Sequence, residues 1–168
     1  FCIHTRYSTQ QAILEDIVAS LYAQGMRKLI ILSGHGGNNF KGMIRDLAFV
    51  YPDFLIIAAD WFSIVPPKDY FEAVVDDHAG ESETSVMMHY HPELVNLAEA
   101  GDGESQPFAI PSLNEKVGWA PRHWDKATVD SGVGNPKKAS AEKGERYMKP
   151  VVEKLSKLFT EVGQGSLY

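Results

Sequence analysis

Only one of the 168 residues is a cysteine, Cys2, so no intrachain disulfide can form and nothing argues for an oxidising compartment. Lying two residues into the sequence without a local base pattern, it is a poor nucleophile candidate. No apolar run is long enough to span a bilayer and no signal-peptide pattern opens the sequence, so the expectation is a cytoplasmic protein with no membrane partner. Positive charge is scarce: 16 Lys and Arg stand against 22 Asp and Glu. The net charge of -6 gives no reason to expect nucleic acid or an anionic surface as partner. The lysines between 137 and 143 read as a solvated helix start. Repeats and low-complexity tracts are missing too. The sequence opens on Phe1, not Met, within what reads as a structured segment, so a fragment or a processed chain is expected.

What is present is the composition of a globular protein, 44% hydrophobic and 23% charged, at a length that builds one domain with a sizeable core. Residues 1–168 are therefore expected to form a single α/β domain.

The most informative stretch is RKLIILSGHGGNN, from Arg27 to Asn39. Leu29, Ile30, Ile31 and Leu32 form an unalternated apolar run, the pattern of a strand buried on both faces of a parallel sheet. The turn that follows puts His35, Gly36, Gly37 and Asn38 outside the carboxyl end of that strand, where open α/β sheets bind ligands. The spacing fits neither a dinucleotide fingerprint nor a Walker loop. A core histidine, or a turn that cradles phosphate, are the plainer alternatives.

Around this strand the pattern repeats. A capping box at Ser8 and Gln11 predicts a helix over 9–24, stopped by Gly25, after a possible strand over 1–7. Phe40, Met43, Ile44, Leu47 and Val50 predict a second helix, closed by Pro52, and residues 54–59 (FLIIAA) a second buried strand that ends at Asp60 and Trp61. Helix, strand, helix, strand with short links is the signature of parallel crossovers. Trp61 can wall a substrate pocket.

DDHAGESETS, residues 76–85, reads as the entry to a third helix starting near His78. That phase puts Glu83 on the packed face with Val86 and Met87, where a carboxylate needs a cation or a metal, and Glu81 on the solvated face. A structural pair with Lys or Arg is the alternative for Glu83. His78 is a candidate proton shuttle or a capping residue. Asp76 and Asp77 complement the helix N-terminus, and either can orient His78. His4, His89 and His91 read as surface histidines. From 101 to 136 the chain is Gly-, Pro- and Ser-rich, the composition of a lid or binding loop, and Trp119, His123 and Trp124 should keep it packed. A long helix over 140–162, with an apolar stripe from Tyr147 to Phe159 and a kink at Pro150, closes the chain.

SGHGGNN after an apolar strand, then DDHAGESETS, then GVGNPKKASAEKGER before a last helix resemble the creatininase (creatinine amidohydrolase) family in the same order. The resemblance implies a three-layer α/β fold with a central, mostly parallel sheet. It implies hydrolysis of a non-peptide carbon-nitrogen amide bond in a small cyclic or linear amide, with a dinuclear Zn, Mn or Fe centre, in a homo-oligomer such as a hexamer. Carried over, His35 matches the metal-binding histidine, His78 the histidine that handles protons, and Glu83 an acidic position expected to bind metal. Gly36, Gly37, Asn38, Trp61 and Asp77 then line the substrate, and His35 and Glu83 are expected to face a common hollow.

Two departures stand out. The enzyme that names the family has a tyrosine and a ligating glutamate where this chain has Gly36 and Gly37, which counts against creatinine as substrate. Nothing here matches the family's early strand and loop with its Glu, His and Asp ligands, so the chain as given is expected to bind metal poorly. The rival readings are a deformylase-like or peptide-trimming relative and a non-catalytic small-molecule or phosphate-binding module.

Overall fold

Two strands in parallel register, Lys28 beside Leu55 through Ser33 beside Asp60, form the regular centre of the computed structural model. The structure describes residues 4–166 and 168, so Cys2 and the first three positions of the strand expected over 1–7 lie outside the described residues. The rest of that expectation is corrected, since residues 4–6 carry no strand and Tyr7 opens a helix. Two compact units divide the chain: Phe1–Ile64 with Glu153–Tyr168, and Val65–Val152.

In the first unit, helix α1 (Tyr7–Ala23) leads to strand β1 (Lys28–Ser33), helix α2 (Lys41–Val50) and strand β2 (Leu55–Asp60). The helix begins two residues ahead of its expected start. Its N-cap is Arg6, which makes no side-chain cap bond, so the expected Ser8 capping box goes unused. Gly25 follows it with φ of 87°, a conformation that favours glycine. Leu14 and Val18 from α1, Met43 and Leu47 from α2, and Phe54 and Ile56 at β2 make one buried cluster. β1 departs from the expected double burial: Leu29, Ile30 and Ile31 are half-buried and Leu32 is 51% exposed. The described sheet here has only two strands, so β1 has a neighbour on one side alone.

The second unit is less regular. Strand β3 (Asp76–His78) is followed by helix α3 (Glu81–Tyr90), short helices α4 (Pro111–Asn114) and α5 (Trp124–Ala127), and strand β4 (Val133–Gly134). β3 and β4 pair antiparallel. The expected helix start near His78 is therefore corrected. His78 is in a strand, Ala79 takes φ of 50°, and the helix begins only at Glu81. The 101–136 loop also departs from expectation, since Trp119 is 86% exposed.

Helix α6 (Ala141–Gln164) contributes its first half to the second unit and its second half to the first. Pro150 lies inside it. Tyr147, Val151 and Leu155 are buried at four-residue spacing, whereas Val152 and Phe159, expected in the same stripe, are exposed. Gly144 lets α6 approach α3: a Cβ there would lie 2.1 Å from the Ser85 carbonyl oxygen. No described helix is long and apolar enough to cross a membrane.

Candidate active site

The turn after β1 is held by bonds among its own residues and by one from Trp61. Buried Ser33 donates to the His35 carbonyl at 3.3 Å and accepts from the Asn38 amide at 3.3 Å, while the Asn38 N–H returns to the same carbonyl at 3.1 Å. The Gly37 N–H donates to His35 Nδ1 at 2.9 Å, so the neutral ring carries its proton on Nε2. Trp61 reaches back with its indole N–H to the Gly34 carbonyl at 3.4 Å. His35, Gly36, Gly37 and Asn38 are exposed and Trp61 is half-buried.

In the second unit the structure brings His78 and Glu83 together. Glu83 Oε2 accepts the Ala79 N–H at 2.7 Å and lies 3.9 Å from His78 Nδ1. Their side chains are 39% and 33% exposed, respectively, so the expected burial of Glu83 is corrected. The buried acid is its neighbour. Glu81, expected to be solvated, is 0% exposed, because a helix that starts at Glu81 turns positions 81 and 85 inward instead of 83.

The partner that a buried carboxylate requires is supplied to Glu81. It accepts from Lys143 Nζ and from the N–H groups of Glu72 and Ala73 at 2.9 and 2.8 Å. Lys143 also bonds the Glu72 carboxylate at 3.0 Å and the Lys138 carbonyl at 2.9 Å. Its pKa is raised, chiefly by the hydrogen bond to Glu81 and then by that to Glu72. The Lys138 and Lys143 ammonium groups hold Glu72 down to about 2. Ser85 donates to the Glu81 carbonyl at 2.6 Å and accepts the Ser140 N–H at 3.1 Å, which ties the start of α6 to α3. Asp76 caps the helix across the turn by accepting the Ser82 N–H at 3.0 Å, while its partial burial raises its pKa.

Arg122, which the sequence reading did not weigh, and Trp124, which it read as keeping the loop packed, complete the surroundings of His78. Arg122 bonds Asp77 at 2.5 Å and lies 4.7 Å over the Trp124 ring. Trp124 meets His78 edge-on at 5.1 Å. Asp77 is thus spent on Arg122. The signal was Arg122 itself, two residues from a tryptophan in a loop otherwise poor in cations. A recess of about 350 Å³ lies against Glu83, with Thr84, Met87, Leu94 and Leu97 in its walls.

His4 and His91 are exposed, as expected, and His91 pairs with Glu93 at 3.2 Å. His89 is half-buried, its ring 4.5 Å from that of Tyr90. Among the described residues no group of three or more His, Cys, Asp and Glu side chains is arranged to hold a metal ion. A tight divalent site takes at least about three protein ligands. His35 belongs to the first unit and Glu83 to the second. His35 Nδ1 is taken by the Gly37 N–H, so a ligand role of this ring would fall to Nε2.

Comparison with known proteins gives the following. The family model described as creatininase, creatinine amidohydrolase, matches residues 1–159. A mycofactocin precursor peptide peptidase of Mycobacterium ulcerans is 32% identical over 131 residues, covering 75% of this chain and 45% of that protein. A creatinine amidohydrolase of Pseudomonas putida is 23% identical over 169 residues, covering 92% of this chain and 63% of the relative. A crystal structure from Bacteroides fragilis is 83% identical with a TM-score of 0.97, covering all of this chain and 66% of that one. A mutant creatininase in a Zn-Zn form shares the fold, with 22% identity and a TM-score of 0.72 over 95% of this chain and 65% of that chain. The chain thus spans about half the length of the mycobacterial relative.

Proposed function

The chain belongs to the creatininase family, and from that membership we propose that the whole protein is a metal-dependent amidohydrolase acting on a carbon-nitrogen amide bond. The observation that carries the reading is His78 beside Glu83 at the β3–α3 junction of a chain matching the family over residues 1–159. Metal dependence draws its support from the creatininase of Zn-Zn type that shares the fold. His35 and Glu83 are the metal-binding candidates of this chain. Its described residues gather too few ligands for a tight site, so further ligands from the whole protein are part of the proposal.

His78 is the residue we assign to proton transfer. Glu83, held by the Ala79 N–H, and Trp124, packed against the ring edge, set the position of the imidazole. It delivers a proton to the leaving nitrogen, the step that makes an amine a competent leaving group. A linear peptide-like amide is the second reading, favoured by the mycobacterial peptide peptidase at 32% identity. Exposed Gly36 and Gly37 leave room beside His35 for an extended substrate.

Turnover of formamide-type, lactam and short peptide substrates by the full-length protein, supplied with Zn or Mn, tests the assignment. His35→Ala and Glu83→Ala are expected to lose about 100-fold in activity together with bound metal. His78→Ala should lose about 100-fold or more in kcat with metal content unchanged. Full turnover in all three variants would overturn the proposal.

A further inference from the structure

We propose that the cavity walled by the 108–122 loop binds an organic carboxylate carrying an apolar group, and that Arg122 reads its charge. The cavity measures about 750 Å³, within the range of small-molecule sites. Phe108, Leu113, Val117 and Trp119 give it apolar walls, Lys116 and Arg122 supply cations, and no carboxylate lines it. In a chain of net charge -6, a recess with two cations and no acid is complementary to an anion. Trp119 is 86% and Val117 77% exposed, so both side chains keep apolar area that an occupant can cover.

Arg122 is held unlike a surface lysine. Asp77 takes one edge of the guanidinium at 2.5 Å and the Trp124 ring supports its face at 4.7 Å. The side chain remains 34% exposed. A guanidinium has five N–H donors, so the contact with Asp77 leaves donors for a second carboxylate. Preorganisation by Asp77 and Trp124 lowers the rotamer entropy lost on binding. Asp77 offsets part of the charge, and Lys116 keeps the recess positive.

Trp124, on which the Arg122 guanidinium stacks, also meets the His78 ring edge-on. The inference deepens the function proposed above, and rests on it in one respect, that the bound molecule is a substrate. That substrate is an amide bearing a carboxylate, its charge on Arg122 and its apolar group against Val117 and Trp119.

Binding, not turnover, tests the site. The protein is titrated calorimetrically at low salt with N-acetyl-L-phenylalanine and with its neutral counterpart, N-acetyl-L-phenylalaninamide. The acid is expected to bind about 10-fold more tightly, a preference that added salt reduces. Arg122→Met should bring the two probes within about twofold of each other, and Arg122→Lys, which keeps charge and loses the fork, should fall between. Trp119→Ala, on an exposed loop position, should weaken both probes by about fivefold whatever the Arg122 variants do to folding. Equal affinity of the wild-type protein for acid and amide overturns the proposal, as does an unchanged preference in folded Arg122→Met. Unchanged binding in Trp119→Ala does the same. A protein that prefers the acid and hydrolyses no amide sinks the enzymatic reading alone.

Discussion

The turn that carries His35 and the one that carries His78 are built on opposite plans. The first is closed mostly by bonds between residues at most five positions apart, Ser33 to Asn38, with one bond from Trp61, 27 positions on, and it lies in the unit that holds the apolar cluster from α1, α2 and β2. The second is closed from a distance. Its strand pairs with β4, its aspartate with Arg122 and its buried glutamate with Lys143, 45 to 62 positions along the chain. A locally bonded turn can form as soon as its strand and helix do. A remotely bonded one is ordered only when the rest of its unit is in place, and it depends on polar partners that have no substitute once water is excluded.

Substitutions in the two regions separate the plans. Met43 is 1% exposed in the apolar cluster, and Met43→Ala should cost about 4 kcal/mol in urea unfolding. A value under about 1 kcal/mol would show that the first region does not depend on its apolar packing. Lys143→Met leaves Glu81 charged, buried and supported by two N–H groups only, and should cost about 3 kcal/mol. Adding Glu81→Gln to Lys143→Met should return about half of that loss, because the amide oxygen still accepts both N–H groups and no buried charge remains. A double variant no more stable than Lys143→Met would mean the cost lies in packing and not in the stranded charge.

The smallest effect is on pH dependence. Glu72 has its pKa lowered from 4.5 to about 2, so its contribution is present above pH 4.5 and is lost as the pH falls from there toward 2. Lys143 has its pKa raised above 10.5, so its contribution is present below that value and is lost as the pH rises past it. Melting temperatures across pH should therefore decline at both ends in the wild-type protein, with the acid decline smaller in Glu72→Gln. Glu72 is 59% exposed, so solvent and salt keep its share modest. The apolar cluster around Met43 contains no titratable group among its buried members, and Met43→Ala should shift the whole profile without changing its shape.

How much was legible follows the same division. The strand, glycine turn and helix around His35 were read nearly to the residue, because apolar periodicity and turn chemistry are local signals. The motif order also led to the right family. Glu81 and Glu83 were exchanged. Which of two glutamates two positions apart faces inward depends on where the helix begins, and that is decided by the β3–β4 pairing and the positive φ at Ala79. Arg122 stayed unread because its partners lie 45 positions away and it belongs to no periodic element.

The sequence by itself determined the alternation of helix and parallel strand in the first unit, the turn that ends in His35, and the family. The period of apolar residues and the demands of glycine turns act over a few positions, and a reader of the chain has all of them in view. The tertiary structure alone decided which carboxylate is buried, what neutralises it, and what surrounds His78. Those outcomes depend on the cost of desolvating a charge, and that cost is set by whichever distant residue arrives to pair with it.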